Sequence, residues 1–120
     1  MTSENEGLAR RFLAGASSLD DYLNFFHDDC IYKVANQPAV HGRAALAQAA
    51  AFFRSRVQRV EHRLLALWCI EDRVVCELEA TYTRSDEQIV TIPCLDLFTI
   101  RDGKIASLQI FADMAPVFRP

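Results

Sequence analysis

One carboxylate stands where hydrocarbon is expected. In Ile92-Pro93-Cys94-Leu95-Asp96-Leu97-Phe98-Thr99-Ile100 the branched and aromatic residues favour a β-strand, and Arg101-Asp102-Gly103-Lys104 after them reads as a hairpin turn. Asp96 interrupts this run, so it has apolar neighbours whichever face of the strand turns inward. An ionised carboxylate is costly to bury alone, so such a group is paired, hydrogen-bonded or held protonated; otherwise it marks an edge, a bulge beside Pro93 or a solvated rim. Buried, it is equipped to polarise or orient a small molecule. Cys94 lies two residues away; the other cysteines, Cys30, Cys69 and Cys76, fall in apolar, strand-like segments where a free thiol packs as a small hydrophobe. No pair has C-x-x-C spacing and the three histidines have no ligand spacing, so no metal is expected.

The elements that must position Asp96 follow from periodicity. The 120 residues suit one domain, 1–120, with a single core. A net charge of −3 without a basic patch argues against nucleic acid and anionic membrane as partners. No apolar run reaches the ~18–20 residues of a membrane helix, and the polar Met1–Glu6 segment does not resemble a signal peptide, so a cytoplasmic protein is expected. Leu8, Phe12 and Ala16 with Ala9 and Leu13 predict a helix over residues 5–16, and Ser18 caps a second, short helix ending at His27-Asp28-Asp29. Residues 30–34 form a short strand, 35–42 a loop, and Arg43 to Val57 a helix rich in alanine. Four strands follow: His62 to Ile70, Val74 to Tyr82, the strand ending at Ile100, and Lys104 to Ala112. This is an α+β pattern, with three N-terminal helices in the concave side of a strongly curved, mostly antiparallel sheet forming a cone-shaped α+β barrel. Such a cone offers an enclosed pocket for a small apolar ligand.

Three passages carry a resemblance to a known family. Phe25-Phe26-His27-Asp28-Asp29-Cys30 resembles an "F-x-D-D-A" junction, His41-Gly42-Arg43-Ala44-Ala45-Leu46 a "G-R-x-A-I/L" helix start, and Asp96-Leu97-Phe98 through Gly103-Lys104-Ile105 a "D-x-F-x-x-x-x-G-K-I" hairpin. In this order they make the chain similar to the SnoaL-like, ketosteroid-isomerase-like superfamily, whose fold is that of nuclear transport factor two. Fold alone does not carry chemistry, so sites transfer one residue at a time. Asp96, two residues before Phe98, matches the aspartic acid that ketosteroid isomerases keep protonated to hold a substrate oxyanion. The isomerase base and tyrosine fall at Val34 and Phe12, so that mechanism is disfavoured. Of the epoxide-hydrolase residues only the tyrosine matches, at Tyr32; Val34, Leu78, Ala80 and Ile110 occupy the other positions. His62 stands where related dehydratases place a histidine, and a His62–Asp96 pair would orient the imidazole.

The resemblance thus implies a cofactor-independent lyase, isomerase or cyclase for a small carbonyl or hydroxyl compound, with Asp96, His62 and Tyr32 as catalytic residues. Phe12, Val34, Leu78, Ala80, Tyr82, Leu108, Ile110, Ala112 and Asp113 are the expected pocket residues. Tyr82 is open between pocket phenol and core packing, Asp113 between a pocket acid and a solvated strand end, and Trp68 between pocket and dimer face. The alternative is a non-catalytic ligand-binding or dimerisation domain of the same fold. Either is compatible with a homodimer formed through the outer sheet face near Gln109 and Phe111.

Overall fold

The computed structural model describes residues 2–119, in the order α1 (Thr2–Ala14), α2 (Leu19–Asn24), β1 (Phe26–Val34), β2 (Val40–His41), α3 (Arg43–Arg56), β3 (Val57–Ile70), β4 (Arg73–Arg84), β5 (Ile89–Arg101), β6 (Lys104–Phe111) and α4 (Ala115–Phe118). The strands form one curled six-stranded sheet, ordered β2-β1-β6-β5-β4-β3. Every neighbouring pair is antiparallel except β1 and β6, which run parallel because the chain returns to β1 only after traversing the rest of the sheet. The α+β cone expected from sequence is the observed architecture.

Local chemistry explains the element ends. Gly15, at φ +105°, takes the left-handed conformation that closes α1. Ser18 caps α2 by accepting the Asp21 amide at 3.1 Å. Asp102 and Gly103 both have positive φ, and Arg101 pairs with Lys104, which makes the β5–β6 connection a tight two-residue hairpin.

Several boundaries differ from the sequence reading: α1 ends at Ala14 and not at residue 16, the expected loop 35–42 contains β2, and two strand starts are shifted. His27-Asp28-Asp29 does not end a helix; β1 already begins at Phe26, and its register with β6 slips between Phe26 and Ile31. The extra residues form a wide bulge held by polar contacts. Arg43 pairs with Asp28, Arg101 reaches Asp29 at 3.0 Å, and the half-buried His27 ring meets the Arg101 carbonyl. Likewise β3 starts at Val57, directly after α3, and not at His62; its first residues include the exposed Gln58, Arg59 and Glu61, whose polarity suits an edge strand. Helix α4, which periodicity did not reveal, is anchored by the buried Val117 and by Phe118 set edge-on to Phe53 at 6.1 Å.

The alternation of β4 and β5 divides the sheet into two faces. Val74, Cys76, Leu78, Ala80 and Tyr82 of β4 and Ile92, Cys94, Asp96, Phe98 and Ile100 of β5 point to the concave side and are buried. Leu8, Ala9 and Leu13 of α1 and Leu46 of α3 close that side. The convex face carries Trp68, Leu95 and Phe111, which are 50%, 37% and 47% exposed. Trp68 is therefore an outer-face residue.

Candidate functional site

Asp96 is 2% exposed and is the one buried charged or polar side chain of the core among the described residues. Strand β5 aims it inward between Cys76 of β4 and Ile110 of β6, its partners in register. No cation neutralises it among the described residues. Its hydrogen-bond partner is a thiol: Cys94 Sγ donates to Asp96 Oδ1 at 3.4 Å. Burial pushes the Asp96 carboxyl up from 3.8 to about 6, and the thiol's donation works in the opposite direction by favouring the ionised form. Of the alternatives left open by the sequence, the solvated rim is excluded.

All three tyrosines of the chain lie within electrostatic reach of this carboxyl. Tyr32 comes from β1, opposite Leu108, and Tyr22 from α2; their hydroxyls interact. Burial raises Tyr32 to about 12, and the charge of Asp96 adds to that rise. Burial likewise raises Tyr22 and Tyr82, and each feels Asp96 as a further, smaller upward push. Tyr82 reaches Met114 Sδ at 4.0 Å, a weak acceptor that ties the phenol to the segment before α4. These phenols keep their protons at neutral pH and act as donors. Buried thiols do the same: burial first, then Asp96, raises both Cys76 and Cys94 to about 12. A buried carboxyl pushed up to about 6, with protonated phenols and thiols within electrostatic reach, is suited to proton transfer to or from a carbon or oxygen atom.

Aromatic packing sets the tyrosines in place. Phe12 meets Tyr22 at 5.5 Å and Phe25, Phe26 and Phe98 at 5.5–5.6 Å, while Phe26 touches both Tyr22 (5.4 Å) and Tyr32 (6.3 Å). Phe12 therefore belongs to an aromatic cluster beneath the phenols. Among the other expected pocket residues, Val34, Ile110 and Ala112 are half-buried, whereas Leu78, Ala80 and Leu108 are fully buried in the core. Asp113 is exposed and its Oδ1 accepts the Ala115 amide at 3.0 Å, so it opens α4 and does not join the interior group.

His62 also differs from expectation. It shares the concave face, but the register places it opposite Ala80 and hence Ile92, two strands and four residues from Asp96. That is roughly 16 Å along the sheet. Its Nδ1 instead meets the Leu13 carbonyl at 3.0 Å, at the end of α1, and burial lowers its pKa while that bond works to raise it. The expected orienting pair does not form. Tyr22 is the residue the sequence reading left out of the site; the available signal was its hydroxyl, which needs a partner when buried.

Two surface depressions lie apart from Asp96. One, of about 690 Å³, runs between α2 and α3 past Asp20, Asn24, Asp28 and Arg43. The other, of about 650 Å³, lies between α1 and the strand turns at Asp72 and Asp102. Neither is lined by the three tyrosines, and the chemistry of the interior group rather than the size of these hollows marks the candidate site.

A curled, mostly antiparallel sheet wrapped over helices is the fold of the nuclear transport factor two and ketosteroid isomerase class. Solved structures of that class match almost end to end. A protein assigned as a SnoaL-like polyketide cyclase from Jannaschia sp. CCS1 is 19% identical, with a TM-score of 0.83 over 99% of this chain and 94% of that one. TerC, crystallised with polyporic acid, is 17% identical, with a TM-score of 0.82 over 94% of each chain. An LEH-like epoxide hydrolase of M. tuberculosis is 18% identical, with a TM-score of 0.82 over 98% of this chain and 89% of that one. At these identities the likeness is one of fold. No curated protein sequence matches. The SnoaL-like domain matches residues 9–108, and the chain belongs to that family.

Proposed function

We propose that this chain is a cofactor-independent acid–base enzyme, a lyase, isomerase or cyclase, acting on a small, largely apolar carbonyl or hydroxyl compound. The observation that carries this reading is Asp96, buried with no cation partner among the described residues, its carboxyl pushed up to about 6 by burial and within electrostatic reach of three protonated phenols. Asp96 takes a proton from the carbon next to a carbonyl and returns it to a neighbouring carbon or a leaving hydroxyl. Tyr32, backed by Tyr22, donates to the substrate oxygen. The proton-carrying role expected of His62 passes to Asp96, and His62 is left to tie β3 to the end of α1. The presence of a polyketide cyclase assignment and of a polyporic acid complex among proteins of this fold supports a small organic ligand. The four free cysteines support a reducing, cytoplasmic setting.

Deuterium exchange tests the reading. Small apolar ketones in D2O, followed by NMR, should exchange their α-protons in the presence of the native chain. Asp96→Asn should slow this roughly 100-fold or more, Tyr32→Phe should slow it less, and His62→Ala should leave it within about twofold. Exchange that is no faster with the native chain than with Asp96→Asn, across aliphatic and aromatic ketones, would sink the proposal. Tight binding of polyporic acid without exchange would then favour the alternative, a ligand-binding module.

The same reading includes a homodimer through the convex face. Trp68, Val75 and Leu97 lie in register beside Gln109, next to a row containing Leu95 and Phe111. Such an apolar patch on a sheet suits a second copy better than water. Sedimentation should show the native chain as a dimer and Trp68→Glu with Leu95→Glu as a monomer; a native chain that stays monomeric at high concentration removes this part.

A further inference from the structure

We infer that Cys94 is a positioning residue for Asp96, its thiol occupying one carboxyl oxygen, Oδ1, so that the other, Oδ2, is the atom presented to a ligand. The inference rests on the acid–base reading of Asp96. Cys94 and Asp96 are two residues apart on the same face of β5, and that strand is paired on both sides, by β4 and β6. Both side chains are buried, and the Sγ to Oδ1 distance is 3.4 Å. The other titratable groups facing this carboxyl are Cys76 and Tyr82 on β4, Tyr32 on β1 and Tyr22 on α2; Arg54 of α3 acts on Tyr22. Cys94 is the one among them that donates a hydrogen bond to it.

A thiol is a modest donor with particular consequences. Its donation favours the ionised carboxyl and so opposes the effect of burial, which otherwise holds the proton on Asp96 to higher pH. The thiol itself is raised to about 12, chiefly by burial, so it keeps its proton through the neutral range and donates throughout. A hydroxyl at the same position would donate more strongly, and a methyl not at all. Cys94 thereby sets both the orientation of the acid and the pH at which it changes from donor to acceptor.

The test is the titration of the Asp96 side-chain carbonyl carbon, read by ¹³C NMR in the intact chain without any ligand. Cys94→Ala should raise the midpoint by about one unit, and Cys94→Ser should bring it back to the native value or below. Cys94→Val, whose larger side chain keeps water out of the vacated space, should follow Cys94→Ala. The inference is overturned if Cys94→Ala and Cys94→Val titrate like the native chain, or if Cys94→Ser moves upward with them. Persistent ketone exchange in Asp96→Asn would refute the acid–base reading without altering this titration result, so the two failures are separable.

Discussion

From below about pH 3 to about pH 8, Asp96→Asn should gain about 3 kcal/mol of stability relative to the native chain. The sign comes from the direction of the shift. The folded chain holds the Asp96 proton to about 6, whereas the ordinary carboxyl value is 3.8, so between these values the folded state binds more protons than the unfolded state. Stability is therefore fully present below the lower value and is lost as pH rises through the upper one, because the native state must then ionise a carboxyl that burial has stripped of water. Asparagine never ionises, so its stability lacks that decline. Whatever constant cost or benefit the amide brings at acid pH cancels in the comparison. Urea unfolding of both chains across this range measures it, and a difference that stays flat with pH would show that Asp96 is solvated or paired in solution. Under the proposed acid–base reading the same substitution is expected to slow proton exchange, so function would fall as stability rises.

Phe26→Ala should cost about 3–5 kcal/mol, a large share of the roughly 5–15 kcal/mol that holds a domain together. Phe26 is fully buried and is the first residue of β1, where the chain leaves α2. It contacts Phe12, Tyr22 and Tyr32, so its removal opens a void beneath both interacting phenols. Phe26→Leu, which fills most of that void, should cost less than half as much and leave the chain folded for study of the tyrosines. Denaturant midpoints measure both. A loss below about 1 kcal/mol for Phe26→Ala would mean that the helices collapse onto β1 and that the aromatic cluster is not what supports the tyrosines.

Much of the frame was legible without coordinates because it is written in short-range patterns. The period of two in Val74–Tyr82 names the buried face of β4, the Asp-Gly pair names the hairpin, and Ser18 names a helix start. The bulged start of β1 was hidden because His27, Asp28 and Asp29 look like a helix end; their partners, Arg43 and Arg101, lie far along the chain. The polar start of β3 was hidden because an edge strand need not alternate cleanly.

By itself the sequence determined the α+β cone, the SnoaL-like kinship and the oddity of Asp96 among apolar neighbours. It also determined that Cys94 would share Asp96's face, since residues two apart on a strand do so by local geometry. Tertiary structure decided the company Asp96 keeps. Register sets His62 two strands away beside Leu13, Asp113 is turned out to open α4, and Tyr22, Tyr32 and Tyr82 are gathered from a helix and two non-adjacent strands. The reason is one of range: periodicity tells each residue which face it occupies, but only strand register and sheet curvature tell it which distant residues it meets.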